Sequence, residues 1–150
     1  MGDVKSGFGK WLLPVAFLLT AGCATVKIPP PDALGYTGRG IAYVKKGEYD
    51  QAISDLTKAL EIYPRYAEAY INRGVIYERK SQYDQAISDF TKALEINPRD
   101  ALAYSNRAIA YYHLKDYDKA WEDVFKAQGL GYQIHPVFLD DLRRASGTKR

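Results

Sequence analysis

YDQAISDFTKALEINP, residues 83–98, decides how this chain is read, because it occurs twice. Residues 49–64 read YDQAISDLTKALEIYP, identical at 14 of 16 positions and beginning 34 residues earlier. A further 34 residues on, 117–132 read YDKAWEDVFKAQGLGY, a decayed third copy. A fixed period of this length means stacked supersecondary units, each burying its apolar face against the next.

Each unit predicts two helices. Upstream of each copy, Tyr36, Gly40 and Tyr43 recur as Tyr70, Gly74 and Tyr77, then as Tyr104, Ala108 and Tyr111. Spacings of four and three residues put these side chains on one face of a first helix, A. Ala52, Leu56, Ala59 and Leu60 share a face of a second helix, B, in the repeated stretch itself. Asp50, Asp84 and Asp118 are expected as N-caps of the B helices, and Asp32 and Asp100 as caps of A helices. Tyr66 holds the corresponding place in the middle unit and has no capping oxygen to offer. Pro64 and Pro98 stop B before the next A. The third unit carries Tyr132 in that place, with Gly129 and Gly131 expected to end its B helix early.

These residues resemble the tetratricopeptide repeat family over 33–134, in units 33–66, 67–100 and 101–134. Its pattern has an aromatic at position 4, here Tyr36, Tyr70 and Tyr104, and small residues at 8, 20 and 27. Those are Gly40, Gly74 and Ala108; Ala52, Ala86 and Ala120; and Ala59, Ala93 and Ala127. The aromatics at 11 are Tyr43, Tyr77 and Tyr111, and those at 17 are Tyr49, Tyr83 and Tyr117. The resemblance implies an all-α right-handed superhelix of three helix-turn-helix repeats, closed by a C-terminal capping helix. It also implies a concave groove lined by A-helix positions 2, 5, 9, 12 and 13. Position 9 is Ile41, Val75 and Ile109, and Leu34, Val44, Ile71, Leu102 and Tyr112 add apolar surface. Glu68, Lys45, Glu78, Arg79, Ser105 and His113 form a polar rim. An apolar line shared by three units implies a peptide or helix partner. The carboxylate clamp of the family's chaperone-tail binders is matched only at Asn72; Thr37, Ile41, Leu102 and Asn106 stand at its other positions.

Outside the repeats, residues 1–22 read as a signal peptide. Lys5 and Lys10 precede an apolar run over 11–20, too short for a bilayer span of about 20 residues. Leu19-Thr20-Ala21-Gly22-Cys23 resembles a bacterial lipobox, with Thr20 where Leu is usual. That resemblance implies cleavage before Cys23 and lipidation of this cysteine, the sole one in the chain. Ala24, in the place where Asp would signal inner-membrane retention, points to an outer-membrane lipoprotein facing the periplasm. Residues 23–32 then form a tether, with Pro29, Pro30 and Pro31 favouring polyproline II at about 3.1 Å per residue. Residues 135–150 hold an amphipathic helix over 135–145, whose Val137, Phe138, Leu139 and Leu142 are expected to cover the last B helix, and then a basic tail.

The chemistry is as telling for what is missing. Neither a G-x-S-x-G, an H-E-x-x-H nor a Walker loop is present, and His113 and His135 have no ligand cluster at metal spacing. No enzyme, cofactor or metal centre is expected. A net charge of +3, with acids and bases interleaved, reads as a solvated surface and excludes a nucleic-acid stripe. The expected function is a membrane-anchored interaction adaptor, with a pilotin-like assembly factor as the sharper version by fold analogy. A docking subunit for a cell-wall enzyme and a self-assembling structural module are the alternatives, and the oligomeric state stays open.

Overall fold

A computed structural model describes residues 28–147 of the chain. The expected signal peptide, Cys23, the expected tether up to Lys27 and the last three residues lie outside them. The described residues form seven helices and no strand. They are α1 (Pro31–Lys46), α2 (Tyr49–Ile62), α3 (Ala67–Arg79), α4 (Tyr83–Ile96), α5 (Ala101–His113), α6 (Tyr117–Gly129) and α7 (Pro136–Ser146). Helices α1, α3 and α5 are the A helices; α2, α4 and α6 are the B helices. Each A packs on its own B, each B joins the next A, and α7 closes the array on α6. Successive A helices also touch one another (α1 with α3, α3 with α5), which puts them on the inner side of the stack.

Small residues set the A–B approach. A Cβ added at Gly40 would stand 3.1 Å from Leu56 Cγ, and one at Gly74 would stand 2.7 Å from Phe90 Cε1. The equivalent pair in the third unit is Ala108 with Val124, both fully buried. As the residue at position 24 shrinks from Phe to Val, position 8 grows from Gly to Ala, and close packing is kept.

The A helices all end in the same way, with the residue at position 15 in the left-handed region: Gly47 (φ +78°), Ser81 (φ +58°) and Lys115 (φ +62°). This lets the N–H groups of Glu48, Gln82 and Asp116 reach back to the carbonyls of Tyr43, Tyr77 and Tyr111. Gly131 (φ +86°) ends α6 by the same geometry, so α6 has 13 residues where α2 and α4 have 14. Only glycine adopts this conformation without a Cβ penalty. Ser81→Gly is therefore expected to stabilise the fold by about 0.5–1 kcal/mol. Thermal unfolding followed by circular dichroism should show a raised midpoint; a lowered one would mean that Ser81 makes a contact worth more than the relieved strain.

Several expectations about helix ends are corrected. Asp50, Asp84 and Asp118 are not N-caps: they stand in the first turn, and the caps are Glu48, Gln82 and Asp116. Only Asp116 uses its side chain, accepting from Lys119 N. The three first-turn aspartates still favour the positive end of the helix. Asp100 does cap α5, accepting from Ala103 N at 2.9 Å, and Tyr66 holds the N-cap of α3 without a side-chain bond. Asp32 lies inside α1, which begins at Pro31 with Pro30 as its cap. The proline run thus reaches into the helix, because a first-turn proline has the required φ and gives up no intrahelical bond. Helix α7 likewise starts at Pro136, with His135 Nδ1 accepting from Val137 N at 3.3 Å. Leu142 is buried and Phe138 and Leu139 are half-buried, but Val137 is 59% exposed and does not cover α6.

The interleaved charges are not all solvated. Asp55, Asp89 and Asp123 are buried, each held by both arms of an arginine 16 residues earlier. Arg73 bonds Asp89 at 2.7 and 2.8 Å, and its remaining arm donates to Thr57 of the preceding B helix at 2.9 Å. Arg107 does the same with Asp123 at 2.7 and 2.9 Å and with Thr91 at 2.9 Å. Each such arginine ties three helices together. Arg39 pairs with Asp55 at 2.5 and 2.8 Å, but among the described residues no B helix precedes α1 to give it a threonine.

Candidate functional site: the inner face of the A helices

The inner face is built from one position set repeated on α1, α3 and α5. The sequence-predicted groove residues divide by burial. Leu34 and Leu102, at position 2, are 44% and 46% exposed. Ile41, Val75 and Ile109, at position 9, are all half-buried, as are Val44, Ile71 and Tyr112. Ile71 and Val75 pack against Ala86, Phe90 and Ala110, Val44 against the first-unit core, and Tyr112 against the third. The expected stripe is therefore a half-sunk floor with exposed leucines at its edge. Val44, Ile71, Val75 and Tyr112 thus fasten the helices while staying partly accessible.

The floor deepens toward the C-terminal end. Ser105, Asn106 and Ile109 of α5 face Gln128, Gly131–Pro136 and Phe138 across an open depression of about 810 Å³. Its polar groups are uncharged amides and hydroxyls beside the His135 ring. At the same repeat position as Asn106, the Asn72 side-chain nitrogen is buried and has no hydrogen-bond partner among the described residues. An unpaired buried donor costs about 1–3 kcal/mol. Thr37, at a clamp position, is buried, and its hydroxyl donates to Ala33 O at 2.9 Å.

Charge on this face is sparse. Glu78, at position 12 of α3, is half-buried, and burial pushes its carboxyl above the usual range although neighbouring Arg79 pulls it down. Lys45, Arg79 and His113 stand at position 13 and are exposed, with His113 stacked on Tyr83 at 4.6 Å. Among the described residues no group of His, Cys, Asp and Glu is placed to hold a metal ion.

Family models for tetratricopeptide repeats match residues 40–81, 67–100 and 90–122, together spanning 40–122. The chain belongs to the tetratricopeptide repeat family. No curated protein matches it. Among solved structures, it is similar to the first repeat domain of Spaghetti (RPAP3) bound to HSP90 peptide SRMEEVD. That match has 29% identity and a TM-score of 0.71, covering 77% of this chain and 91% of that one. It is also similar to the Arabidopsis OM64 repeat domain, at 26% identity and TM-score 0.72, covering 75% and 95%. A match to MamA has 29% identity and TM-score 0.66, covering 67% of this chain and 58% of that chain.

The charge ladder and the half-burial of Glu78 escaped the sequence reading. A signal for the ladder was present, since Arg39, Arg73 and Arg107 recur at the 34-residue period, as do Asp55, Asp89 and Asp123.

Proposed function

We propose that this tetratricopeptide repeat protein is a non-catalytic adaptor that holds a peptide or helix from another protein on the inner face of α1, α3 and α5. The observation that carries this reading is the half-buried apolar floor from Ile41 through Val75 to Ile109, edged by exposed Leu34 and Leu102. Apolar residues left facing a concavity are the usual ground of peptide recognition. The likeness to a repeat domain bound to SRMEEVD supports peptide binding as a class of function. Thr37, Ile41, Leu102 and Asn106 in the clamp positions speak against that kind of acidic ligand here.

Leu102→Asn with Ile109→Asn tests the groove. Leu102 is exposed and costs little to change, whereas half-buried Ile109 costs about 1–2 kcal/mol. The fold should persist by circular dichroism while partner capture falls at least tenfold, since central apolar anchors carry about 2 kcal/mol or more. Capture unchanged in the folded variant would place the partner surface elsewhere.

The adaptor is further proposed to be membrane-tethered and periplasm-facing, on the strength of the lipobox-like stretch ending at Cys23. Several acyl chains would hold it durably, at about 0.8 kcal/mol per buried CH₂. Among the described residues, no helix is long and apolar enough to cross a membrane. Cys23→Ser should abolish lipid labelling and leave the protein soluble or unprocessed. A cleaved variant that still fractionates with membranes would put the anchor at another residue. Pilotin-like help to an outer-membrane complex is the specific role proposed; copurification of a wall enzyme, or of further copies alone, would replace it.

A further inference from the structure

We infer that the segment held by the inner face is basic as well as apolar, presenting a lysine or arginine to Glu78 between apolar side chains. This rests on the groove reading above and names the chemistry of its ligand.

Glu78 occupies position 12 of the middle A helix, where the neighbouring A helices carry Val44 and Tyr112. Both of those side chains are half-buried against the core, and α3 touches α1 and α5, so the carboxylate stands in the centre of an apolar row. Glu78 is itself half-buried, and no lysine, arginine or histidine nitrogen lies within 4.0 Å of it among the described residues. The nearby cations either hold another carboxylate or stand in water. On α3, Lys80 is bound to Asp50 of α2 and Arg73 to Asp89 of α4. Lys45 of α1 and Arg79 of α3 are exposed, and His113 of α5 is stacked on Tyr83. A partly desolvated carboxylate with no direct ion pair, and only exposed Arg79 acting on it from a distance, is costly, and burial in a complex would raise that cost unless the ligand supplied a cation. Acidic ligands of the SRMEEVD kind would set like charge against Glu78 in the same low-dielectric row.

The test uses the repeat protein with three fluorescent peptides, read by anisotropy: a leucine–lysine peptide, the same peptide with glutamine for lysine, and SRMEEVD. The leucine–lysine peptide should bind at least tenfold more tightly than the other two. Glu78→Gln, which keeps the side-chain shape, should remove that preference and its salt dependence while leaving the melting curve in place. Glu78→Lys should turn the preference toward SRMEEVD. Equal binding of the lysine and glutamine peptides, unchanged in Glu78→Gln but lost in Leu102→Asn with Ile109→Asn, overturns the basic-ligand inference and leaves the groove standing. Peptide binding that none of these substitutions alters overturns both, as does failure of all three peptides to bind.

Discussion

Asp123→Ala will lower the stability of the fold by about 3–5 kcal/mol, the range for breaking a buried ion pair from one side. The guanidinium of Arg107 is only 13% exposed and bonds Asp123 through two nitrogens and Thr91 through a third. Without the carboxylate it is a buried charge with one hydroxyl for company. Thermal unfolding should show the midpoint falling by roughly 10 °C or more. Asp55→Ala supplies the control. Its partner Arg39 is 54% exposed, so water replaces the lost carboxylate and the loss should be only about 1 kcal/mol. Equal losses at the two positions would mean that the arginines act through something other than their burial. Neighbouring units share the Arg107–Thr91 contact, so the Asp123→Ala loss should also reach amide protection in α4.

Gly74→Ala should destabilise by about 1–3 kcal/mol, because the new methyl would sit 2.7 Å from a ring carbon of fully buried Phe90. Phe90→Val alone should cost about 3 kcal/mol through the cavity left by the ring. The double variant recreates the Ala108–Val124 pairing of the third unit. It should be more stable than the sum of the single losses predicts, by about 0.5–3 kcal/mol. Urea denaturation of the four proteins closes the cycle. Strict additivity would show that the backbone relaxes around position 74 and that the contact with Phe90 does not set the helix spacing.

The repeat period was enough to place six of the seven helices, since small residues at positions 8 and 20 and the proline stops act on their own stretch of chain. Those signals are local: a helix face needs only the spacing of its apolar residues, and a helix stop needs only the proline. Capping was read less well, because an aspartate at the second helical position and one at the cap look alike in sequence and differ only in where the backbone turns. The tertiary structure alone decided which charges are buried. Asp55 and Asp89 sit in near-identical stretches, yet Arg39 is 54% exposed and Arg73 is 17% exposed, because among the described residues a B helix precedes α3 and none precedes α1. The same holds at the inner face. Glu78 reads as one more polar residue on an amphipathic helix until the packing of α3 against α1 and α5 leaves it half-buried. Burial belongs to neighbouring helices and not to the residue itself, and on that account the sequence named candidate positions on the A helices while the packing fixed how deeply each is buried.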